Sequence, residues 1–261
     1  MSLEILKLGG SVVTFKKTPM APNIKAIRRL AEEVSLAGSR KLVIIHGGGS
    51  YGHPLAKEYD IVSGYSSPRQ LVGFSKTHQA MINLNSIIIE AFLDSGVPVV
   101  SIAPSSFIVT DDRRIVNIDF NLIKRFIESG FIPVLYGDAV LDISRRFTIL
   151  SGDQLSVRLA IELKVERLLF GVDVDGVYTA NPNLAPDAKL IEDLSLSQIK
   201  GMTQIGEALS TDVTGGMIGK INEARDAVEA DIKVQLINAL KPGIIQSALK
   251  WNPVPGTWLR R

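Results

Sequence analysis

Apolar positions along the chain follow two periods. Short runs rich in β-branched residues read as strands: Leu3 to Leu8, Leu42 to Ile45, Pro98 to Ile102, Phe131 to Tyr136, Arg167 to Gly171 and Ile232 to Ile237. Between them lie longer stretches of helical period. In 23–37, Ile24, Ile27, Leu30, Ala31 and Val34 fall on one face, and Gly38 stands at the C-cap position. A long helix is predicted from Gln70 to Asp94 with Gly96 beyond it, and others over 120–129, over 151–163 behind a Ser151 cap, and over 216–230. Two hairpins interrupt the alternation. Phe107 to Val109 pairs with Ile115-Val116 across Asp111-Asp112-Arg113, and Val140 to Ile143 pairs with Phe147 to Leu150. Asn181, Pro182, Asn183 and Pro186 mark a surface loop.

Strands alternating with helices predict an α/β fold: an open, mostly parallel sheet sandwiched between helices, with right-handed crossovers. Ligands of such sheets bind beyond the carboxyl ends of the strands. The glycine-rich segments at Gly9-Gly10 and Gly47-Gly48-Gly49 follow strands, and so occupy that edge.

Composition narrows the chemistry by exclusion. The 261 residues carry a net charge of +2, too small to call for nucleic acid or an anionic membrane. With no cysteine there is no disulfide, thiolate metal site or cysteine nucleophile, and three histidines alone make a zinc site a poor fit. Lys7 interrupts the N-terminal apolar run, and no apolar stretch approaches the roughly 18 residues of a membrane span. A cytoplasmic protein with no membrane partner is expected.

The candidate chemistry lies in five segments. Lys7-Leu-Gly-Gly-Ser11 ends a strand with a lysine and then bares two glycine amides, which can cradle phosphate oxygens. His46-Gly-Gly-Gly-Ser-Tyr-Gly-His53 places three successive glycines after a buried strand, at a cost in backbone entropy that a close ligand approach explains. It contains G-x-G-x-x-G, but no acidic residue follows at the end of a next strand, so it fits a dinucleotide site poorly. Gly137-Asp138, Ser151-Gly152-Asp153 and Asp173-Val-Asp-Gly-Val-Tyr178 follow strands or open a helix; singly, each also fits a plain turn. Asp212-Val-Thr-Gly-Gly-Met-Ile-Gly-Lys220 leads into a helix as a second anion-binding loop, and departs from the Walker A pattern at Thr214 and Ile221.

In this order and spacing the segments resemble the amino acid kinase superfamily, over essentially the whole chain from Lys7. The glycine loop closed by His53, and Lys7-Leu-Gly-Gly-Ser-Val-Val-Thr-Phe-Lys16, are similar to those of its isopentenyl phosphate kinases. Fosfomycin kinases share the closing histidine.

The resemblance implies a single amino acid kinase domain over 3–240 on one continuous sheet, an acceptor half at 1–165 with β-hairpins over its site, and an ATP half at 166–261. It implies that Lys7, Gly9, Gly10, Ser11 and Gly49 hold ATP phosphates, that Lys16 stabilises charge on the transferred group, and that Asp153 orients Lys7 or Lys16. Gly215 and Lys220 would hold the β- and γ-phosphates, and Asp173, Asp175, Tyr178, Thr179 and Pro182 would line the adenosine side. Gly48, His53 and Gly152 would meet the acceptor. Its apolar tail would lie between the long helix, at Phe74 and Met81, and the second hairpin, at Val140 and Ile149. Ile82, Leu84 and Ile143 are further candidates for that wall, and His78 reads as a partly buried polar helix residue. The cofactors implied are ATP and Mg²⁺, the ion held by ATP phosphates and water with no metal cage of protein ligands. The partner is a small phosphate monoester, and a homodimer is expected by family analogy. A kinase of this fold for another small acid or phosphonate, and a nucleotide sensor that transfers nothing, are the alternative readings.

Overall fold

The computed structural model describes residues 2–38, 41–180, 185, 187–199 and 214–261. The first half runs β1 (Glu4–Leu8), α1 (Gly10–Val13), α2 (Ile24–Ala37), β2 (Leu42–His46), α3 (Gly49–Glu58), α4 (Arg69–Asp94), β3 (Val99–Ser101), β4 (Ile108–Asp111), β5 (Arg114–Ile118), α5 (Phe120–Glu128), β6 (Ile132–Tyr136), β7 (Asp138–Asp142), β8 (Arg146–Leu150) and α6 (Gly152–Leu163). It continues with β9 (Arg167–Val172), β10 (Val177–Tyr178), β11 (Leu190–Ile191), β12 (Asp193–Ser195), α7 (Gly219–Glu229), β13 (Lys233–Asn238), α8 (Ile244–Leu249) and β14 (Gly256–Arg260).

Eight strands form one sheet in the order β12-β14-β13-β9-β1-β2-β6-β3. Every neighbouring pair is parallel except β13 with β14. β1 is the hinge of the order, with β2 on one side and β9 on the other, so a single sheet passes through both halves of the chain. The sheet agrees with the fold predicted from the strand–helix alternation. Its exception, β14, follows Pro253 and Pro255 in a segment that carries no helix-linked pattern.

The two faces of the sheet are packed separately, as alternate side chains of a strand require. On one face Ile5, Val43, Leu168 and Phe170 meet Leu155 and Leu159 of α6 and Ile221 and Ala224 of α7. On the other, Leu6, Ile44, Val134 and Leu169 meet Ile27 and Leu30 of α2 and Leu84 and Ile88 of α4. Each such Val, Leu, Ile or Phe side chain contributes about 1.5–3 kcal/mol on burial. Helix ends follow the sequence: Asn23 accepts the Ala26 amide, Gly38 takes the left-handed conformation at φ 67°, and Ser151 accepts the Gln154 amide.

A second sheet, β5-β4-β7-β8, holds both predicted hairpins and lies against α4 and the segment after α3. A third small packing group sits there: Ala56, Ile61 and Phe147 buried together, with Tyr59, Tyr65, Phe74 and Ile149 around them.

Candidate active site

Three helices begin with glycine at the carboxyl edge of the main sheet. Gly9 stays hydrogen-bonded to the sheet, donating to the Gly171 carbonyl at 2.8 Å, and Gly10 then opens α1. Gly47 donates to the Leu8 carbonyl at 2.9 Å, and Gly49, at φ +47°, opens α3. Gly152 opens α6, and a Cβ placed on it would lie 3.2 Å from the His46 carbonyl. The first two turns touch backbone to backbone: a Cβ on Gly10 would lie 2.6 Å from the Gly49 Cα, and one on Gly47 would lie 2.8 Å from the Gly10 nitrogen. The glycines therefore serve close approach as well as amide exposure. Thr14 locks the contact, donating to the Gly10 carbonyl at 2.7 Å and accepting the Ser50 amide at 3.0 Å. Helix N-termini gathered in this way offer free amides and positive dipole ends to an anion.

The charges converge on Asp153, in the first turn of α6. Lys7 Nζ lies 2.6 Å from one of its oxygens, and Lys220 Nζ lies 2.8 Å from both. Both lysines are buried. Burial alone would raise the Asp153 pKa, but the Lys7 and Lys220 charges outweigh it and hold the carboxyl at about 2. Burial and the Lys7 charge bring Lys220 down to about 8, although Asp153 opposes them. Two ammonium groups face one carboxylate, leaving a net positive charge at the carboxyl ends of β1 and β9 for an incoming phosphate.

Lys16 does not join this cluster. It is 68% exposed and pairs with Asp173 at 2.8 Å. The partners of Asp153 are thus Lys7 and Lys220, not Lys16, because α1 carries Lys16 outward toward the end of β9. Burial would raise the Asp173 pKa, yet Lys16 and the Ser11 hydroxyl lower it, so Asp173 belongs to the loop around Ser11 rather than standing with Asp175. Asp175 instead bonds Lys241 at 2.7 Å, Asn238 at 3.0 Å and the Tyr178 hydroxyl at 3.1 Å. Thr179 is exposed and exchanges bonds with Lys189. Pro182 lies outside the described residues. Gly215 lies in the π-turn Thr214–Ile218 that precedes α7.

On the other side of the glycine loop, the Met81 sulfur is 3.0 Å from where a Gly48 Cβ would stand and 2.9 Å from that of Gly52. Met81 is thus held against the loop. His53, in the second turn of α3, keeps an exposed side chain; burial around it and the Lys7 charge lower its pKa, with Asp153 opposing. Phe74 packs on Phe147 with ring centroids 5.6 Å apart, and Ile149 joins the same group. Val140 is fully buried in the larger core rather than in that group. The other suggested wall residues fall elsewhere: Ile82 lines a groove with Ile89 and Leu93, Leu84 faces α2 across the main core, and Ile143 is 68% exposed.

Sequence reading missed Thr14, Phe147, Asn238, Lys241 and the contact between His78 and Asp138. Most of their partners stand far off in the chain, so no local pattern announces them; Gly137-Asp138 and His78 are the visible signals. Among the described residues no group of three or more histidine or acidic side chains is placed to hold a metal ion, and no helix is long and apolar enough to cross a membrane.

A parallel sheet with glycine-initiated turns over a lysine–aspartate–lysine cluster is the frame of a phosphotransferase, and the model of the amino acid kinase family matches residues 2–238. The chain belongs to that family. Within it the chain groups with isopentenyl phosphate kinases: that of Methanothermobacter thermautotrophicus is 42% identical over 97% of each chain, and that of Thermoplasma acidophilum 36% identical over 92% of this chain and 93% of its own. A crystallographically determined isopentenyl phosphate kinase superposes with a TM-score of 0.87 at 39% identity, covering 98% of this chain and 99% of the other.

Proposed function

We propose that the chain transfers the γ-phosphoryl group of ATP to isopentenyl phosphate, giving isopentenyl diphosphate and ADP. The observation that carries the reading is a juxtaposition. The loop closed by His53 lies between the Lys7–Asp153–Lys220 cluster and the small apolar group of Phe74, Phe147 and Ile149. A phosphate fits the first and a short hydrocarbon tail the second.

Both reactants are anions, so the barrier is one of approach and charge, and such transfers rely on positioning and electrostatics. Lys7, Lys220 and the amides at Gly10, Ser11, Gly49 and Gly215 hold the ATP phosphates, while Gly9, whose own amide is tied to the Gly171 carbonyl, lets them approach the backbone closely. Lys16 neutralises the group in transit, Gly48, His53 and Gly152 hold the acceptor phosphate, and Asp153 fixes both buried lysines. Asp173, Asp175, Tyr178 and Thr179 border the nucleotide, with acceptor and nucleotide divided between 1–165 and 166–261. Phe74, Met81 and Ile149 enclose the tail, with Val140 behind them in the main core. The acceptor oxygen is already ionised near neutral pH, so no strong base is needed. Magnesium bound through the ATP phosphates supplies further charge neutralisation.

The enzyme is proposed to act in the cytoplasm as a homodimer. β3 is an open edge of the sheet beside exposed Leu93, and this face is offered to a second copy. Light scattering of the purified chain tests the dimer; a monomeric mass at micromolar concentration rejects it. Incubation with ATP, magnesium and isopentenyl phosphate tests the activity, with isopentenyl diphosphate and ADP as products. Turnover of acetylglutamate or glutamate, with none of isopentenyl phosphate, rejects the acceptor.

A further inference from the structure

Phe74, His78, Met81 and Asn85 are spaced four, three and four residues apart on α4, and so share one stripe of that helix. Three of the four meet the elements around the acceptor site. Phe74 packs on Phe147, the Met81 sulfur rests on Gly48 and Gly52, and Asn85 Nδ2 lies 3.2 Å from Nε2 of His46, the residue before the glycine run. His78 stands between Phe74 and Met81, about one helical turn, or roughly 5.4 Å, from the residue that touches the phosphate loop. A polar side chain in that wall is out of keeping with a tail pocket alone.

Its partner is Asp138, the first residue of β7, whose side chain is wholly buried. Both Asp138 oxygens lie 3.0 Å from His78 Nδ1, and the carboxylate also accepts the Ala139 amide at 2.9 Å and the Ser105 amide at 3.4 Å. Asp138 is anchored next to the site itself. Gly137, just before it, donates to the His46 carbonyl at 3.1 Å, and a Cβ there would lie 3.0 Å from the Gly152 nitrogen. A carboxylate on Nδ1 requires the proton on that nitrogen and leaves Nε2 unengaged by Asp138. A buried ion pair is weak support for stability on its own, since desolvation offsets its attraction. Placed here, it has a second use.

We propose that His78 is a second acceptor-binding residue, its Nδ1–H held by Asp138 and its Nε2–H donated to an oxygen of the acceptor's phosphate group. The proposal rests on the reading that the acceptor is a phosphate monoester. An imidazolium with a carboxylate on one nitrogen can carry an anion on the other, and the Asp138 hydrogen bond does raise the His78 pKa, against the opposing effect of burial. His78 and His53 would then grip one phosphate from α4 and α3, the two helices packed together beside the loop.

Two substitutions separate this role from a clamp that merely ties α4 to β7. His78→Asn keeps an amide at the Nδ1 position, able to bond Asp138, and has nothing at Nε2. His78→Gln places an amide near Nε2. Steady-state kinetics with isopentenyl phosphate and ATP, and direct calorimetric binding of isopentenyl phosphate, are measured for wild type and both variants. The expected result is a 10- to 100-fold loss of kcat/KM for isopentenyl phosphate in His78→Asn, about the size of a charge-assisted hydrogen bond. The loss should lie chiefly in KM, leave the KM for ATP unchanged, and be partly restored in His78→Gln. Wild-type kinetics in His78→Asn overturn the proposal, because the Asp138 contact alone would then suffice. A rise in the KM for ATP with the acceptor KM unchanged overturns it as well, as do equal losses in both variants with a lowered melting temperature. If the wild type itself neither binds nor turns over isopentenyl phosphate, the reading of function fails first, and the acceptor assigned to His78 fails with it.

Discussion

Asp153 meets two ammonium groups within 2.8 Å, and removing its charge leaves those groups facing each other. Asp153→Asn is expected to lower kcat by about 100-fold, the scale of a misplaced catalytic group. Steady-state assay checks this, and retention of activity within threefold would show that the lysines hold position unaided. Lys220 gives a pH signature. Its pKa, lowered to about 8, means that the free enzyme loses this charge as pH rises through 8. Because kcat/KM reports the free enzyme, kcat/KM for ATP should fall above pH 8 while the charged form persists below it. Lys220→Arg, which does not titrate in this range, should flatten that limb; an unchanged limb in the variant assigns it to another group. At this scale the sequence was legible in part. Lys7, Asp153 and Lys220 are separated by 146 and 67 residues (153 − 7 and 220 − 153), and only likeness to a known family joined them. That same likeness left Asp153 to Lys7 or Lys16; Lys7 meets it at 2.6 Å, whereas Lys16 lies outward on Asp173. Which lysine reaches a carboxylate is set by the turn of α1, and no spacing records that turn.

Among the elements, the glycine turns are the most exacting. Gly10 and Gly49 have no room for a methyl group, and Gly49 also takes a left-handed φ of +47°. Gly10→Ala or Gly49→Ala should cost about 1–3 kcal/mol through overpacking, and ATP binding should suffer with it. Urea denaturation and nucleotide titration measure the two effects; a fully stable Gly10→Ala would mean the turns can part. The tail wall is softer. Phe74→Ala and Ile149→Ala open space within the group around Phe147 and are expected to raise the ratio of kcat/KM for geranyl phosphate over isopentenyl phosphate. Met81→Ala should instead weaken both acceptors, since Met81 supports Gly48 and Gly52. Ratios unchanged in all three variants place the tail elsewhere. The long helix was legible to one residue, Gln70 against the observed Arg69, because 25 residues of sustained pattern leave little freedom. The short helix α1 was hidden behind glycines, which carry no hydrophobic period. β14 escaped notice because a five-residue strand after two prolines pairs through neighbours that sequence alone does not supply.

Across the whole molecule the sheet separates chemistry from stability by its two ends. The carboxyl ends of β1, β2 and β9 carry the glycine turns and Lys7, while the amino ends carry a buried pair, Glu4 on β1 and Arg167 on β9, 2.7 Å apart and opposite each other in the parallel register. Arg167 also donates to the Ala248 carbonyl at 2.6 Å and lies 3.8 Å from the centre of the Trp251 ring, so the guanidinium joins both halves of the sheet to the C-terminal segment. Burial raises the Glu4 pKa and lowers that of Arg167, each partly offset by the other's charge. Neither group is well placed to stand alone. Glu4→Gln leaves a buried cation with weaker compensation, and the loss of one partner in such a pair costs about 3–5 kcal/mol. Because the pair sits a strand's length from the phosphate site, roughly 13–16 Å for five residues, the loss should fall on folding and not on transfer. The expected outcome is a lower urea midpoint with an unchanged slope, and kcat/KM for both substrates within twofold of wild type at 25 °C. A stable variant would mean that Trp251 and the Ala248 carbonyl suffice to hold Arg167. A folded variant with impaired transfer would mean that strain at the amino end of the sheet reaches Lys7 along β1.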